Sequence, residues 1–444
     1  MTQTTALPPE FFVDDGKGAL QCNMHSGQIK VWDSEARWVF ALAGYQSGKT
    51  VIGPPWMDRE IDRRGPGDYL VATSTYKLLT RKLLKVYRWY FEYKLKQATY
   101  NGDLQALVFH QAVKEKGQRI RFPGADTETQ IFFGSAQSPE SLESATVKAI
   151  HLDEVGQKQF KRDSWDAVER RGSVFEARIL GTTTLYGLGW LKTQIYDPWL
   201  EGDPDIEVIQ FPSSINPRFS AKEWERMVAK YPKWKADLFL YGRFSRPAGM
   251  IYDRFESERH IVAPHPIPDD WPKWTWHDFG PVNFVTLWCV QNPLNGELLI
   301  YREYKSDGKK DIFDHVSHIK AVSGKEGFGR CVGGAAVEDG WRGSFTQGGW
   351  PIHKPKPHRV EEGIQLAYDW WALDRIRVSK ECPLFIDEIL SYSRETDDDG
   401  EPTDKIDDKS AYHFMAAMRY GLGEFDVFAY EKTKSTKLPV ASRM

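Results

Sequence analysis

A short glycine-containing loop, Ala43-Gly44-Tyr45-Gln46-Ser47-Gly48-Lys49-Thr50, constrains the fold of this chain more than any other stretch. It follows the apolar run 38–42, which is typical of a buried strand. This order, a strand followed by small residues and then Gly-Lys-Thr, is typical of a phosphate-binding loop. In such a loop the backbone N–H groups surround the phosphates. Lys49 would add a positive charge and Thr50 could bind Mg²⁺. The strict pattern begins with glycine, whereas this chain has Ala43. The alternative to a phosphate-binding loop is a turn between a loop and a helix that resembles the motif by chance. The predicted nucleotide-binding residues are Gly44, Tyr45, Gln46, Ser47, Gly48, Lys49 and Thr50.

A second motif, Val147-Lys148-Ala149-Ile150-His151-Leu152-Asp153-Glu154, is a β-rich run that ends in two acids. This is typical of a Walker B strand. We expect Asp153 to hold Mg²⁺ and Glu154 to polarise the attacking water, because phosphoryl transfer depends mainly on positioning and charge neutralisation. Asp-Glu pairs are common on surfaces, so the preceding strand and the upstream loop make this pair specific. His151 is predicted to be a packed core histidine.

Three further segments complete the predicted nucleotide site. The strand that ends in Gly181-Thr182-Thr183-Thr184 suits a sensor of the terminal phosphate that relays hydrolysis. The turn 211–217 is rich in residues that bond to the local backbone, and 218–245 resembles a small helical lid. Gln28, upstream of the loop, is predicted to contact adenine, with an ordinary surface glutamine as the alternative.

Bulk properties limit the class of protein. At 444 residues the chain is too long for one core, so two or three domains are expected. The net charge of −3 means that any contact with nucleic acid must come from local patches. The basic, aromatic helix expected over 78–97 could touch a DNA backbone, or its charges could simply be solvated. Four scattered cysteines, no leader-like N-terminus and no long apolar run predict a soluble intracellular protein without a disulfide frame or membrane span.

The second half restarts after a Pro-rich stretch at 246–270 that lacks periodicity. It begins with a Trp-rich strand ending at Asp278, followed by two more strands of an antiparallel meander. Another strand, 335–337, leads to Glu338 and Asp339. Carboxylates at the ends of neighbouring strands predict a two-metal nuclease site of ribonuclease H type, with ions about 4 Å apart. Asp278 is the strongest candidate and Asp339 the second.

The order of these motifs resembles that of the large terminase subunit of tailed bacteriophages, over about 28–422. The resemblance rests on the segments 43–50, 151–154, 181–184, 213–217, 277–280, 338–340 and 413–420. It implies an N-terminal ATPase that translocates double-stranded DNA and a C-terminal ribonuclease-H-like nuclease that cuts concatemers. It also implies ATP and Mg²⁺ as cofactors, with Mn²⁺ possible at the nuclease.

The resemblance further implies partners and an organisation into domains. The partners are double-stranded DNA, the portal protein of the procapsid and a small terminase subunit, with a homo-pentameric ring on the portal and no membrane. The chain would act in the host cytoplasm, docked transiently on the procapsid and absent from the mature virion. The expected fold is α/β throughout: a P-loop ATPase with a RecA-like parallel sheet over 1–246, including a lid at about 190–246, a linker at 247–265, a ribonuclease-H-like domain over 266–425, and a tail over 426–444.

Two departures from the family's pattern matter. Relatives often carry an arginine in the phosphate loop near Tyr45, and this loop has none. We therefore expect a neighbouring subunit to supply one, and the unranked candidates are Arg119, Arg121, Arg162, Arg170 and Arg171. The last helix of relatives usually reads His-x-x-Asp-Ala, whereas Ala416 stands at the metal-binding aspartate here. This predicts a nuclease that is disabled, by engineering or natural loss, unless Asp404, Asp407 or Asp408 substitutes.

Two alternatives to a DNA-packaging motor remain open from the sequence. The first is a helicase-like translocase whose second half only binds nucleic acid, although no second RecA-like half follows the first. The other is a structural module for portal docking that has lost enzyme function, which the intact Lys49, Asp153 and Glu154 argue against.

Overall fold

The computed structural model describes residues 10–14, 20–110, 129–142, 146–246, 248–306, 308, 310–357, 359–397 and 401–427. The chain divides into two compact units, Met1–Pro247 and Ala248–Met444. Within the described residues, no helix is both long and apolar enough to cross a membrane. The candidates Arg119 and Arg121 lie outside these residues.

The first unit is built on an eight-stranded sheet in the order β10-β3-β9-β8-β4-β7-β6-β5. Six of these strands are parallel, and β6 and β5 add an antiparallel edge. The strands are β3 (Trp38–Ala43), β4 (Asp68–Thr73), β5 (Ala98–Asn101), β6 (Ala106–Phe109), β7 (Gln130–Ser135), β8 (Ala149–Asp153), β9 (Arg178–Thr183) and β10 (Ile206–Phe211), with a small separate hairpin of β1 (Phe12–Asp14) and β2 (Leu20–Cys22).

The central strands are apolar along their whole length because both faces of the sheet are covered. In β3, for example, every residue from Val39 to Ala43 is fully buried. Helices of this unit are α1 (Ser26–Asp33), α2 (Gly53–Arg64), α3 (Tyr76–Leu78), α4 (Leu84–Tyr87), α5 (Arg162–Gly172), α6 (Asp197–Leu200), α7 (Ala221–Lys230) and α8 (Lys233–Ala236). Short 3₁₀ turns occur at Thr50–Ile52, Pro139–Leu142 and Ser213–Ile215, and π-helical turns at Lys192–Tyr196 and Asp237–Tyr241.

Residues 76–94 form one helical rod, hereafter helix 76–94. The rod has four consecutive parts without a break between them: α3, a π-helical turn (Leu79–Leu83), α4 and a second π-helical segment (Arg88–Lys94). Leu83, Tyr87 and Phe91 are buried in the same core as the inner face of β3. These three side chains therefore mark the face by which the helix packs in that core.

The structure divides the region predicted as a lid, 190–246, into a strand of the main sheet and a group of helices. Strand β10 lies beside β3 in the main sheet, so the stretch 190–246 is not a separate subdomain throughout. The helical elements that follow it, α7, α8 and the π-helical turn Asp237–Tyr241, match the small helical lid expected over 218–245. We keep the word lid for residues 213–241.

The second unit contains a six-stranded mixed sheet in the order β11-β16-β14-β13-β12-β15. Its first three long strands form the predicted antiparallel meander, and β15 pairs in parallel with the first of them. The strands are β11 (Ile261–Val262), β12 (Lys273–Asp278), β13 (Val285–Gln291), β14 (Leu298–Lys305), β15 (Val332–Gly333) and β16 (Ile376–Ser379), with a hairpin of β17 (Arg394–Thr396) and β18 (Pro402–Ile406). Both units are thus mixed α/β folds, which confirms the predicted fold class.

Helices cover this sheet, and the last of them approaches it closely. A Cβ added to Gly421 would lie 2.0 Å from the ring of Trp276, so only glycine allows this approach. The helices are α9 (Ser257–His260), α10 (Ile312–Ser323), α11 (Asp339–Gln347), α12 (Val360–Ala372), α13 (Pro383–Ser391) and α14 (His413–Leu422), with a 3₁₀ turn at Lys409–Ala411.

Two segments of the second unit differ from the sequence prediction. The stretch predicted as a linker, 247–265, contains α9 and β11, and Tyr252 and Phe255 are fully buried, so its described residues belong to the second unit. The predicted strand 335–337 is a turn, because the strand ends earlier, at Gly333. Glu338 then precedes α11 rather than ending a strand.

Candidate functional site

The loop after β3 has the geometry of a phosphate cradle. Gln46 and Gly48 have positive φ angles of 55° and 88°, and a helical turn starts at Thr50. When right-handed and left-handed backbone conformations alternate, successive N–H groups point toward the same concave side of the loop, where they can bind an anion. The Ser47 hydroxyl is buried there without a hydrogen-bond partner among the described residues, as expected of a group awaiting a ligand.

Helix α1 supports this loop from one side. Gln28 donates from Nε2 to the Gly48 carbonyl at 2.8 Å, and His25 contacts the Ser47 carbonyl through Nε2 at 2.8 Å. Burial lowers the pKa of His25, so the ring is neutral and its Nε2 carries the proton that is donated. Gln28 is almost fully buried. Its contacts here hold the loop, and its predicted role as a reader of adenine stays a prediction.

The lid supports the loop from the other side. Ser213 donates to the Tyr45 carbonyl at 2.7 Å, and the Asn216 amide donates to the Gln46 carbonyl at 2.6 Å. The Tyr45 hydroxyl reaches Met227 of α7. A Cβ on Gly44 would lie 2.3 Å from the Leu240 carbonyl oxygen, which explains glycine at this position. The loop and the lid are therefore directly bonded.

The first carboxylate of the predicted acidic pair lies beside the loop. The Thr50 hydroxyl is 3.0 Å from Oδ1 of Asp153, and Thr182 donates to the same oxygen at 2.7 Å. Burial would raise the pKa of this carboxyl, but the ammonium groups of Lys82 and Lys49 outweigh it and the pKa is lowered. Asp153 is therefore an anion with a hydroxyl neighbour, and hydroxyl and carboxylate oxygens are the ligands that Mg²⁺ prefers.

The second carboxylate faces the lysine of the loop. Lys49 donates to the Thr184 hydroxyl at 2.6 Å and lies 3.6 Å from Oε1 of Glu154. Burial lowers the pKa of Lys49, and the two carboxylates oppose that shift. Glu154 has a φ of 59°, a left-handed conformation that costs a non-glycine residue about 1–3 kcal/mol. Its backbone N–H donates to the Thr182 carbonyl at 2.7 Å, which holds it there.

A buried chain of hydrogen bonds ends on Asp153. The Tyr87 hydroxyl lies 2.8 Å from Nδ1 of His151, and Nε2 of His151 lies 3.1 Å from the Thr182 hydroxyl. Burial lowers the pKa of His151 to about 4, so the ring is neutral. With Thr182 donating to Asp153, His151 donates from Nε2 and accepts from Tyr87. His151 is packed in the core as predicted, and it also positions the Walker B carboxylate.

The predicted coupling segment contributes all three of its hydroxyls to this network. Thr182 bonds to Asp153, and Thr184 accepts from Lys49. Thr183 accepts from the Gly156 N–H at 2.8 Å. Gly181 has the Phe40 ring 2.4 Å from the position a Cβ would take, which leaves room only for glycine.

A second lysine of the site was missed by sequence reasoning. Lys82 of helix 76–94 places Nζ 3.3 Å from Oε1 of Glu154 and 3.6 Å from Oδ2 of Asp153. Burial would lower the pKa of Lys82, but the two carboxylates raise it. The sequence placed this lysine among charges facing DNA or solvent. No local pattern marks it, because the contact depends on how helix 76–94 packs against the sheet.

The second unit brings some of its predicted residues together. Asp278 ends β12, and its Oδ2 accepts from Nδ1 of His413 at 2.8 Å. Burial, together with the negative charges of Asp278 and Glu338, raises the pKa of Tyr420 to about 12. Ala416 lies between His413 and Tyr420 on α14 and is half-buried.

The structure does not bring Asp339 to this group. Its side chain is 76% exposed and bonds to Arg342 at 2.7 Å. Glu338 lies closer to the end of β12: its Oε2 accepts from the Ala335 N–H at 2.6 Å and lies 3.0 Å from the position of a Cβ on Gly334, whose N–H donates to the His277 carbonyl. The reason is the early end of β15, which makes Asp339 the first residue of an exposed helix.

The carboxylates of the second unit do not form a complete metal site in the chain as it stands. Among the described residues, no group of three or more His, Cys, Asp or Glu side chains could hold a metal ion. Ala416 supplies no ligand; of the predicted substitutes, Asp404 and Asp408 are exposed and Asp407 is half-buried.

Comparisons with known proteins give one consistent result. No family model matches, and no curated protein matches. Solved structures similar to the chain over most of its length are large terminases. They include that of bacteriophage HK97 (13% identity, 94% of this chain and 97% of that chain, TM-score 0.49) and that of a thermophilic bacteriophage in complex with ADP (17% identity, 90% and 98%, TM-score 0.43). The ATPase domain of the Thermus phage P74-26 large terminase matches half of the chain (20% identity, 50% and 95%, TM-score 0.41).

Proposed function

We propose that the first unit is an ATPase and that the whole chain acts as the large subunit of a viral DNA-packaging motor. The observation that carries the proposal is the convergence of Lys49 and Thr50 after β3 with Asp153 and Glu154 after β8, on either side of β9, where Thr50 is within hydrogen-bonding distance of Asp153 and Lys49 within ion-pair distance of Glu154. Their order along the chain, followed by the coupling segment and the acidic motifs of the second half, resembles that of large terminases.

In this proposal each of the four residues of the site has a defined role. Lys49 exchanges its contact with Thr184 for the phosphates of ATP, and the loop N–H groups surround them. Thr50 and Asp153 would hold Mg²⁺, which neutralises the charge that develops on the phosphates. Glu154 orients and polarises the attacking water from a conformation already fixed by its backbone bond to Thr182.

The lid and the coupling segment would carry the result of hydrolysis away from the site. Ser213 and Asn216 bond directly to loop carbonyls, so a shift of the loop on phosphate binding or release must move the lid or break those bonds. Thr184 exchanges partners whenever Lys49 does. These contacts supply a two-position element of the kind that coupling requires.

The wider role follows from the resemblance. The chain would grip double-stranded DNA, assemble as a pentameric ring on the portal of the procapsid and receive DNA from a small terminase subunit. It would work in the host cytoplasm. An arginine from a neighbouring subunit would complete the ATPase site, with Arg162, Arg170 and Arg171 as described candidates.

We further propose that the second unit is a nuclease fold silenced by Ala416. Asp278 at the end of β12 and Glu338 just before α11 remain as two candidate carboxylates, but position 416 on α14 carries no ligand. Replacement of Ala416 by aspartate would place a carboxylate on the same stretch of α14 as His413, which already contacts Asp278. Mg²⁺ or Mn²⁺ would then have the oxygen donors it needs.

The ATPase proposal is tested by ATP hydrolysis with and without linear duplex DNA. We expect DNA to stimulate turnover and Lys49→Ala to abolish it. Translocation is tested on the same DNA by displacement of a third strand from a triplex site, which should require ATP. A wild-type chain that neither binds nor hydrolyses ATP would contradict the proposal.

The nuclease proposal is tested by cleavage of plasmid DNA with Mn²⁺. We expect the wild-type chain to leave the plasmid intact and Ala416→Asp to cut it, and Asp278→Ala to silence that variant. Cleavage by the wild-type chain would mean that another carboxylate fills the third position.

A further inference from the structure

We propose that Lys82 is a second cation of the ATPase site, supplied by the same chain, which neutralises Asp153 and Glu154 before nucleotide binds and then stabilises the terminal phosphate. The inference rests on the proposed ATPase function and adds a residue to it. The carrying observation is that the Lys82 ammonium lies 3.3 Å from Glu154 and 3.6 Å from Asp153.

The charges of the site balance only when Lys82 is counted. Asp153 and Glu154 are two buried carboxylates, and Lys49 supplies one positive charge. Burying carboxylates without an opposite charge is costly, and Lys82 provides the second positive charge. Its ammonium lies 3.6 Å from Oδ2 of Asp153, while Thr182 donates to Oδ1 and the Thr50 hydroxyl is within 3.2 Å of both oxygens.

Lys82 is held in place by the helix that carries it. Leu83, the next residue, is buried, and Tyr87 further along the helix bonds to His151 in the core. The aliphatic stem is thus directed toward the strand ends. Its side chain is nevertheless 43% exposed, so a ligand entering the site can reach it. A lysine on the open surface could be equally exposed, but its ammonium would not lie this close to two buried carboxylates.

The phosphate loop gives an independent reason for a further cation. Between Ala43 and Thr50 its one basic residue is Lys49. The Tyr45 side chain extends to Met227 in the lid, and the Gln46 carbonyl is taken by Asn216. Phosphoryl transfer places negative charge on the terminal phosphate, and a correctly positioned cation there strongly accelerates it. Lys82, beside the residue that orients the water, is placed to act on that charge.

The experiment uses three variants of the full chain: Lys82→Met, which keeps the length but removes the charge, Lys82→Arg, which keeps the charge, and Lys85→Met as the control. Lys85 is an exposed lysine on the same helix. All are made in an Asp278→Ala background so that the second unit does not contribute to metal binding. Steady-state ATP hydrolysis without DNA and binding of Mn²⁺ alone, without nucleotide, are both measured.

We expect Lys82→Met to lower kcat about 100-fold with little change in KM for ATP, because one preorganised charge is lost from the transition state. In contrast, Mn²⁺ alone should bind roughly tenfold tighter, since a competing cation has left Asp153 and Glu154. Lys82→Arg should retain most activity, and Lys85→Met should match the parent. Damage to the fold would weaken both properties, so opposite changes distinguish the proposed role from a structural one.

Three results would overturn the inference. The first is a kcat of Lys82→Met equal to that of the parent. The second is a loss of activity in Lys82→Met with unchanged or weaker Mn²⁺ binding. The third is a Lys85→Met variant that behaves like Lys82→Met. If the parent chain itself shows no hydrolysis and Lys49→Ala changes nothing, the proposed ATPase function fails, and that outcome is separate from any effect of Lys82.

Discussion

The hydroxyl of Thr50 lies 3.0 Å from the carboxylate of Asp153, although the two residues are 103 positions apart. One ends the phosphate loop after β3, and the other ends β8. Strand β9 separates these strands in the sheet and adds Thr182 to the same carboxylate. The carboxyl ends of parallel strands meet at one edge, which is where such sheets bind ligands. The site is therefore a consequence of strand order.

The contact between the lid and the loop predicts a specific effect on ATP binding. Ser213 is fully buried and donates to the Tyr45 carbonyl, whereas its neighbour Ser214 is exposed. Ser213→Ala removes the donor and leaves that carbonyl without this bond, which costs about 1–3 kcal/mol. We expect KM for ATP to rise roughly tenfold. Ser214→Ala is the matched control, and equal KM values for the two variants would argue against direct support of the loop by the lid.

The position of Glu338 predicts which acid serves the nuclease fold. In the Ala416→Asp background, Glu338→Gln should reduce plasmid cleavage by roughly 100-fold because a ligand near Asp278 loses its charge. Asp339→Asn should leave cleavage close to that of the background, since its side chain is 76% exposed and pairs with Arg342. Cleavage rates with Mn²⁺ measure both. The reverse ranking of these variants would support the original sequence prediction of Asp339.

The buried His277 predicts a loss of stability in acid. Its ring lies between the hydroxyls of Thr275 and Thr286, and burial lowers its pKa to about 3. The unfolded chain has a histidine pKa near about 6.5, so below that value protons bind the unfolded state more strongly. The stability contributed by His277 is complete above about pH 6.5 and is lost as the pH falls toward 3.

Urea unfolding of the full chain at pH 6.5 and 4.5 measures this effect. We expect the free energy of unfolding of the wild-type chain to fall by about 2 kcal/mol more than that of His277→Gln over this interval. His353→Gln removes an exposed ring and serves as the control. Parallel pH dependence of the wild-type and His277→Gln chains would contradict the assignment.

Sequence patterns identified the parts of the site that are encoded locally. A phosphate loop and an acidic strand end each need only a few consecutive residues, and Lys49, Thr50, Asp153 and Glu154 meet in the structure. The α/β class was implied by the family resemblance that these motifs carry. Asp278 was found for the same reason, since it ends a strand that is easily recognised.

The remaining features depend on packing between distant segments. Lys82 looked like any basic residue of an amphipathic helix until that helix was placed on the sheet. The choice between Glu338 and Asp339 depended on where a two-residue strand stops, and strand ends are the least predictable part of a fold. The stretch 247–265 read as a linker because of its prolines, although Tyr252 and Phe255 are buried in the second unit.

The most direct test of the account is steady-state ATP hydrolysis by Glu154→Gln, with nucleotide affinity measured in parallel by a fluorescent ATP analogue. The account predicts that turnover falls at least roughly 100-fold while affinity stays within about threefold, because Glu154 orients water and other residues bind the phosphates. Hydrolysis at the wild-type rate would contradict the assignment of Glu154 and, with it, the proposed mechanism of the first unit.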